Sequence, residues 1–442
     1  MRRIIIAGTN SGCGKTTITC AVLSALSARG LKVSSFKCGC DYIDPMFHEQ
    51  ILGVKSHNLD SFFCGGNTVK NILHENGKNN DISVIEGVMG FYDGVNGSGS
   101  AHSVSEMTET PVILVVDSKG MSDSMGAVIS GFLHYKPNRI AGIIFNRLPE
   151  KLVPLAEKIC RELGTEYLGH MPVHEYKIES RRLGLVTAEE IPDIKEKIRF
   201  IGELAGKNIL LDKIIAIADN AFPEYKKIEI KKIGNPVIAV ARDRAFCFIY
   251  RDNIHILEKM GCKIEYFSPM NDEKIPENAD GLILYGGYPE LHMEKLSGNK
   301  SMIKSIKKSI DSGIPVIAEC GGFMYLHDFI ADYSMVGAIS GYAYKTDKLQ
   351  RFGYITLNSD NDNLLFRQGE KIPAHEFHYW DSTNNGNSLT AEKYDGKSWH
   401  CAICTKNMYA GFPHIYFYSD IEIAERFVKA CTEYGGKNEK NT

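Results

Sequence analysis

The segment from Ala7 to Thr17, AGTNSGCGKTT, is the feature that most restricts how this chain can fold. It follows a short apolar run and precedes a helical pattern, which predicts a strand, a glycine-rich turn and a helix. In this arrangement the backbone N–H groups of the turn and the N-terminus of the helix face a bound phosphate. We expect Lys15 to reach the outer phosphates of a nucleotide and Thr16 to lie where it can bind Mg²⁺. The residues predicted to contact the nucleotide in this segment are Gly12, Gly14, Lys15, Thr16 and Thr17.

The loop departs from the strict phosphate-binding pattern at one position. Thr9 stands where that pattern has glycine, and Gly8 precedes it. The loop also has no second lysine before Lys15, which argues against the partitioning and septum-site ATPases. Its place between a predicted strand and a predicted helix still favours nucleotide binding over a plain turn. Asn146, at the end of the later strand GIIFN, is a further candidate for nucleotide contact, with a turn residue as the alternative.

Acidic side chains follow the next two predicted strands. The stretch KCGCDYIDPMFH places Asp41 and Asp44 after the second strand, and IEGVMGFYDG places Glu86 at the end of the third and Asp93 in the loop beyond. Ligands of open α/β sheets bind at the carboxyl ends of the strands, so we expect these acids near the phosphate loop. Glu86 is the predicted Mg²⁺ ligand or holder of a water molecule. A single Asp would more simply cap a turn, but three of them on two such loops, Asp41, Asp44 and Asp93, favour a site.

Short continuous apolar runs alternate with helical patterns in two blocks of the chain, which predicts parallel sheets covered by helices on both faces. We therefore expect an α/β protein of two three-layer αβα domains, the first similar to P-loop NTPases. The predicted strands are Arg3–Ala7, Lys32–Lys37, Ile82–Glu86, Val112–Asp117 and Ile140–Asn146, then Val237–Ala241, Lys263–Phe267, Gly281–Leu284 and Pro315–Glu319. The predicted helices are Lys15–Arg29, Met121–Leu133, Pro149–Leu163, Ile249–Met260 and Ser301–Ser312. Further strands are expected after Gly341.

A chain of 442 residues is too long for one ordinary hydrophobic core. Residues 219–235 contain a proline, a glycine and a cluster of lysines, so we predict a linker there between domains 1–218 and 236–434. The net charge of −3 argues against nucleic acid or an anionic membrane as a partner. No apolar stretch approaches the ~18 residues that span a membrane, and we expect a cytoplasmic protein.

A second chemically informative segment is IPVIAECGGFMYL, from Ile314 to Leu326. An apolar run ends on an acid, and Cys320, two glycines and a helical pattern follow. Such a strand–turn–helix elbow exposes a nucleophile and directs helix N–H groups at it, and we expect it to favour the thiolate.

A cysteine nucleophile needs a base and donors for the oxyanion. His414, in AGFPHIYFY, is the predicted base. It is distant from Cys320 in sequence, and we expect the two side chains to meet only in the folded protein. Gly286 and Gly287, in YGGYPE, are the predicted oxyanion and glutamine-binding residues, although a structural turn has the same pattern. His375 and His378, in HEFHYW, are expected to contact substrate or to be packed and hydrogen-bonded.

Cys401 and Cys404 form the pattern CxxC, which invites a metal or redox interpretation. The pattern has no matching pair nearby, and zinc sites of this kind usually need two. We therefore predict that both are strand or turn residues and that the twelve cysteines are reduced thiols.

Taken together, the motifs resemble those of the cobyrinic acid a,c-diamide synthases. That family joins an amide-ligating ATPase domain to a C-terminal class I glutamine amidotransferase domain. The motifs that carry the resemblance are GTNSGCGKTT, KCGCDYIDPMFH, EGVMGFYDG, RDRAFCFIY, GGYPE, AECGGFMYL and HEFHYW. They extend over nearly the whole chain in the expected order, from Gly8 to His414.

The resemblance implies two coupled reactions. Cys320 would attack the side-chain amide of glutamine, giving a thioester and ammonia, with His414 handling the protons. ATP with Mg²⁺ would phosphorylate the c and a acetate carboxylates of cobyrinic acid in cobalamin biosynthesis, and ammonia would displace the phosphate. The partners would be these small molecules, with a homodimer as a possible assembly. By the same resemblance, the carboxylate or metal site would be lined by Asp41, Asp44 and Asp93. MgATP would be bound by Lys15, Thr16 and Glu86. The substrate would be contacted by Tyr42, His375 and His378.

The chain departs from the family pattern at three places. Cys40 stands where the family usually has proline, and the segment before the histidine reads GFPH rather than SYxH. The class I triad usually has Glu two residues after its histidine, whereas this chain has Tyr416. The cobyrinate branch lacks that Glu, so the sequence leaves open which residue orients His414.

Three alternatives share part of the pattern. A sister enzyme acting on nickel sirohydrochlorin or hydrogenobyrinic acid would carry the same motifs. A regulatory nucleotide-binding protein with a degenerate amidotransferase domain would have lost the thiol or its base, yet Cys320 and His414 are both present. A ligase similar to dethiobiotin synthetase would account for the first half of the chain but not for the second.

Overall fold

The computed structural model describes residues 1–174 and 193–438. It divides into two compact units, Met1–Ile228 and Glu229–Thr442. Their boundary lies inside the stretch 219–235 that the composition marks as a linker, and the exact domain bounds remain a prediction. Part of that stretch is held by the first unit, because the backbone N–H groups of Lys226 and Ile228 donate to the side chains of Asn67 and Asn71.

The first unit is built on one parallel sheet of seven strands. Its strands are β1 Arg3–Gly8, β2 Val33–Cys38, β3 Ser56–Leu59, β4 Ile82–Glu86, β5 Val112–Asp117, β6 Ile140–Asn146 and β7 Glu166–Met171. They lie in the order β3-β2-β4-β1-β5-β6-β7. Every residue of β1 and β4 is buried, which explains why most residues of these strands are apolar.

Helices lie between these strands and after the last of them. They are α1 Lys15–Ala28, α2 Ile43–Leu52, α3 Gly66–Gly77, α4 Ala101–Thr108, α5 Ser124–His134, α6 Val153–Glu162, α7 Ile194–Asn208 and α8 Leu211–Ala218. The carboxyl ends of β1, β2 and β4 are neighbours in the sheet, so the phosphate loop and the two acidic loops meet at one edge.

The second unit contains a six-stranded sheet, with parallel pairing through its centre, and two antiparallel-rich sheets. The six-stranded sheet comprises β8 Val237–Ala241, β9 Lys263–Phe267, β10 Gly281–Leu284, β11 Val316–Glu319, β20 Ile403–Cys404 and β21 Met408–Gly411. A four-stranded sheet comprises β12 His327–Ile330, β13 Tyr333–Ser334, β14 Ile339–Lys345 and β17 Trp380–Ser382. A five-stranded sheet comprises β15 Arg351–Ser359, β16 Lys371–His378, β18 Leu389–Glu392, β19 Ser398–Cys401 and β22 His414–Ile415.

The helices of the second unit are α9 Arg251–Lys259, α10 Met293–Gly298, α11 Lys300–Asp311, α12 Gly321–Leu326 and α13 Ile421–Asn438. The order β20-β21-β11-β10-β8-β9 places β11 between β10 and β21. The turn that follows β11 therefore lies beside the ends of both neighbours. The predicted α/β class with parallel sheets is confirmed, and the strands expected after Gly341 are present.

Two strands of the first unit were not predicted from the sequence. β3 (SHNL) and β7 (EYLGHM) carry polar residues where an apolar run was sought. In β3 the polar groups are buried because they are bonded: the Asn58 amide donates to the carbonyls of Gly39 and Asp41. Among the helices of residues 1–174 and 193–438, none is both long and apolar enough to cross a membrane.

Candidate functional site

Cys320 occupies a strained turn between β11 and α12. Its φ of 48° and ψ of −105° are rare for a residue with a side chain, and only 6% of its surface is exposed. The glycines after it allow the turn to press against its neighbours. A Cβ on Gly322 would lie 1.9 Å from the carbonyl oxygen of Leu284, and one on Gly321 would lie 3.1 Å from the nitrogen of Gly287. The elbow predicted from AECGG is therefore present.

His414 and Cys320 meet at Gly286. The position that a Cβ on Gly286 would occupy is 2.7 Å from His414 Cε1 and 3.4 Å from Cys320 Cβ. The imidazole, the thiol and the GGYPE loop are thus neighbours, although 94 residues separate the histidine from the cysteine. Gly287 packs in the same way against the carbonyl of Ala245, in the RDRAFCFIY stretch.

His414 is bonded to the residue that precedes the nucleophile. Its Nδ1 lies 3.2 Å from Glu319 Oε2, and the backbone N–H of Ile415 donates to Glu319 Oε1 over 3.1 Å. Glu319 is 1% exposed and His414 is 2% exposed. Sequence reasoning missed Glu319, although an acid that ends a strand next to the nucleophile was a visible signal.

The surroundings of Cys320 favour the thiol over the thiolate, contrary to the expectation for the elbow. Burial raises the pKa of Cys320 above its usual value, and the nearby carboxylate of Glu290 raises it further. The backbone N–H of Gly321 acts in the expected direction but is outweighed. Burial also raises the pKa of Glu290, to about 7. The proton must therefore be removed during attack, which requires an adjacent base.

The two histidines of HEFH lie on β16, beside β22. The ring of His375 stacks on His414, with centroids 4.8 Å apart and planes at 18°. His378 instead stacks on Phe412 at 3.9 Å, and its Nδ1 donates to the carbonyl of Trp380. Packing thus accounts for both burials, and contact with substrate remains a prediction for each.

In the first unit, the phosphate loop is supported from β6. Asn146 Nδ2 donates to the carbonyl of Cys13 over 2.9 Å, so the amide supports the loop and contact with a nucleotide remains a prediction. Gly12 and Gly14 have φ values of 81° and 101°, which glycine adopts without strain. A Cβ on Gly8 would lie 2.3 Å from Cys13 Sγ, which explains the glycine at that position.

Lys37 joins the acidic residues around the phosphate loop. Its Nζ donates to Asp44 Oδ2 over 2.5 Å and to Glu86 Oε1 over 3.1 Å, and Thr16 Oγ1 donates to the same Glu86 oxygen over 2.6 Å. His48 Nε2 lies 3.1 Å from Glu86 Oε2. Burial alone would raise the pKa of Glu86, but Lys37 and His48 hold it well below its usual range. Sequence reasoning missed Lys37, which only the packing identifies.

The other two acids are partly used in turns. Asp41 Oδ1 accepts from the N–H of Ile43 at the start of α2, and its Oδ2 lies 3.8 Å from Lys37. Asp93 Oδ2 accepts from the N–H of Gly90, in a loop tied to β1. Tyr42 directly precedes α2, and its side chain is buried.

The residues around Thr16 fit a magnesium ion. The hydroxyl of Thr16 and the carboxylate of Glu86 are hard oxygen donors within 2.6 Å of each other, and Mg²⁺ commonly takes one or two protein oxygens together with phosphate oxygens. Within residues 1–174 and 193–438, no group of three or more His, Cys, Asp or Glu forms a preassembled metal cluster. Cys401 and Cys404 end two short strands, β19 and β20.

Two family models match the chain. A CobQ/CobB/MinD/ParA nucleotide binding domain matches residues 4–185, and a CobB/CobQ-like glutamine amidotransferase domain matches residues 237–421. The cobyrinate a,c-diamide synthase of Caldanaerobacter subterraneus subsp. tengcongensis is 37% identical over 454 residues, covering 99% of this chain and 100% of the relative. That of Clostridium tetani is 39% identical over 447 residues, covering 98% and 100%.

The chain belongs to the cobyrinate a,c-diamide synthase family. The resemblance predicted from the motifs and the enzyme class, a ligase with glutamine as amido donor, are confirmed. The matched nucleotide-binding domain implies that this family member uses ATP. A solved structure of PurLQS from Thermotoga maritima is also similar, at 20% identity and a TM-score of 0.35, over 45% of this chain and 98% of that chain.

Proposed function

We propose that this chain amidates the a and c side-chain carboxylates of cobyrinic acid in cobalamin biosynthesis, using ATP and glutamine. The observation that supports it best is the meeting of Cys320 and His414 at Gly286, in a chain that also carries a phosphate loop bonded to Glu86. A glutaminase site without a nucleotide site, or the reverse, would not supply both halves of the reaction. The choice of cobyrinic acid rests on the names of the relatives.

In the second unit, His414 takes the thiol proton as Cys320 Sγ attacks the amide carbon of glutamine. Backbone N–H groups of the Gly286–Gly287 turn stabilise the oxyanion, because they need no reorganisation as its charge develops. His414 then returns the proton to the departing nitrogen, and ammonia leaves. Water hydrolyses the thioester, which releases glutamate and restores the thiol.

In the first unit, an oxygen of the substrate carboxylate attacks the terminal phosphorus of ATP, and ADP leaves. Ammonia from glutamine then attacks the acyl carbon, and phosphate leaves with the carboxylate oxygen. This sequence is needed because a carboxylate is a poor electrophile, and phosphorylation gives it a leaving group. We propose that Asp41, Asp44 and Asp93 line the carboxylate or metal site and that Tyr42 contacts the substrate there. His375 and His378 are proposed as substrate contacts in the second unit.

The phosphate loop would hold the nucleotide through Gly12, Gly14, Lys15 and Thr17, with Asn146 beside it. Thr16 and Glu86 would hold Mg²⁺, which, when bound, neutralises charge on the phosphates. Burial lowers the pKa of Lys15, and this residue would give its charge to the outer phosphates. Assembly as a homodimer remains a prediction.

The first experiment measures glutamate and ADP release with MgATP and glutamine, comparing cobyrinic acid with nickel sirohydrochlorin. The proposal is supported if cobyrinic acid alone gives a product, and if the mass of that product is lower than that of the substrate because –NH₂ has replaced –OH. Turnover of the nickel compound alone would keep the chemistry and change the substrate, and hydrogenobyrinic acid is tested in the same way. Absence of ADP release with any of them would contradict the ligase assignment for this chain.

A variant separates the two half-reactions. Cys320→Ser is expected to abolish the use of glutamine and to leave amidation with added ammonium salt near the wild-type rate. Loss of both activities in a folded variant would contradict the assignment of separate glutaminase and ligase sites.

A further inference from the structure

The residue that orients the base of the glutaminase site is not where the usual triad places it. Tyr416 stands two residues after His414, and its hydroxyl donates to Asp252 Oδ2 over 2.9 Å. Its ring packs against Tyr250, with centroids 5.0 Å apart. This position therefore offers His414 no carboxylate, and its polar group is used in a different contact.

Glu319, which directly precedes the nucleophile in the chain, supplies a carboxylate to His414 instead. Both of its oxygens are bonded to successive residues of β22: Oε2 to His414 Nδ1 at 3.2 Å and Oε1 to the N–H of Ile415 at 3.1 Å. Two contacts from one rigid carboxylate define the position of the ring and of the backbone that carries it.

The sheet brings Glu319 to this position. β11 and β21 pair in parallel with Glu319 opposite Gly411, and the N–H of Cys320 donates to the carbonyl of Gly411 over 2.8 Å. The chain beyond Gly411 then returns past the end of β11 to His414. The turn that carries the nucleophile thus also carries the acid that contacts its base.

The second imidazole at the site raises the question of which ring accepts the proton. His375 stacks on His414, so two cations there would repel each other. Burial lowers the pKa of His375 well below its usual value, and His414 lowers it further. Its Nδ1 lies 3.4 Å from the hydroxyl of Tyr250, a neutral partner, whereas Glu319 lies beside His414.

We propose that Glu319 is the positioning carboxylate of the glutaminase site, taking the role that the triad usually gives to a residue after the histidine. An acceptor at Nδ1 keeps the proton of neutral His414 on that nitrogen, which leaves Nε2 as the lone pair that takes the thiol proton. The carboxylate then stabilises the imidazolium. The proposal rests on the proposed glutaminase activity, and it concerns Glu319 as a residue that acts through His414.

The test compares Glu319→Gln with Asp252→Asn, a matched loss of a buried carboxylate that bonds Tyr416 instead of His414. In Glu319→Gln we expect kcat for glutamine hydrolysis to fall by about 10²–10⁴-fold, as for loss of an orienting carboxylate in comparable triads, with KM within about twofold. Amidation with ammonium salt should persist. Alkylation of Cys320 by iodoacetamide, followed on its peptide by mass spectrometry, should slow in parallel, and Glu319→Asp should recover part of the rate. Asp252→Asn should retain the wild-type kcat.

Wild-type kcat in folded Glu319→Gln, or an equal loss in Asp252→Asn, would overturn the proposal. A direct measurement needs no variant at this position: ¹⁵N shifts of histidine-labelled wild-type protein, assigned to His414 with a His414→Asn variant, should show the proton on Nδ1. A proton on Nε2 would overturn it. If wild-type protein hydrolyses no glutamine, or if Cys320→Ser hydrolyses it normally, the proposed function fails instead.

Discussion

Thr16 in the phosphate loop donates to Glu86 at the end of β4 over 2.6 Å, and Lys37 from β2 donates to the same oxygen. One buried carboxylate therefore links three neighbouring elements of the first unit. A nucleotide or metal ion that binds at the phosphate loop must either replace these hydrogen bonds to Glu86 or form further contacts beside them. The consequences for each partner can be measured separately.

Replacement of Thr16 by alanine removes a proposed metal-binding hydroxyl and leaves the glutaminase residues untouched. We expect the Mg²⁺ concentration needed for half-maximal ADP release to rise by about 10- to 100-fold, as for loss of groups that support a metal site. Glutamine hydrolysis, measured in the same preparation without ATP, serves as the control and should be unchanged. An unaltered Mg²⁺ requirement would contradict the role of Thr16.

Replacement of Lys37 by methionine leaves the buried carboxylate of Glu86 and the partly buried carboxylate of Asp44 without their cation. We expect the first unit to lose about 3–5 kcal/mol of stability, because breaking a buried ion pair exposes the full cost of burying the remaining charge. The measurement is thermal and urea unfolding followed by circular dichroism. Lys158→Met is the control: its side chain and that of Glu162 are each 62% exposed, so a change of at most about 1 kcal/mol is expected. Equal effects of the two variants would refute the argument.

The raised pKa of Cys320 predicts a specific pH dependence of its reactivity. Because burial raises the pKa of Cys320 above its ordinary value of 9.0, the thiolate fraction in the free enzyme is small at neutral pH and is still increasing at pH 9. We expect the alkylation rate of Cys320 by iodoacetamide to be slower than that of glutathione and still rising at pH 9. A rate that levels off below pH 8 would show that the thiol is activated before glutamine binds.

Replacement of Gly286 by alanine puts a methyl group where the imidazole lies. The new Cβ would be 2.7 Å from His414 Cε1 and 3.2 Å from Phe248 Cδ2, so the imidazole ring must shift from its present position beside the thiol. A displacement near 1 Å can cost on the order of 10²-fold in rate, and we expect at least that loss in glutamine hydrolysis. Gly298→Ala is the matched control, since nothing lies within 4 Å of its added Cβ. ADP release with ammonium salt should be retained by both.

Local patterns predicted much of this molecule. The apolar runs of β1, β4 and β5 identified parallel strands because strands buried on both faces need continuous apolar side chains. The GKTT loop and the AECGG elbow were readable for a similar reason: each is a short segment whose backbone requires glycine at fixed positions. β3 was not readable, since its burial depends on hydrogen bonds such as those of Asn58 with loops elsewhere.

The sequence by itself predicted two sites, a phosphate-binding site around Lys15 and a thiol site around Cys320, and predicted His414 as the base. Only the tertiary structure decided that Glu319 orients toward His414 and that Lys37 lies among Asp44 and Glu86. The physical reason is that a charged side chain becomes buried only where a partner compensates it, and these partners are brought together by strand order and register. Neither the order nor the register of the strands can be predicted from the residues adjacent to the charged side chain.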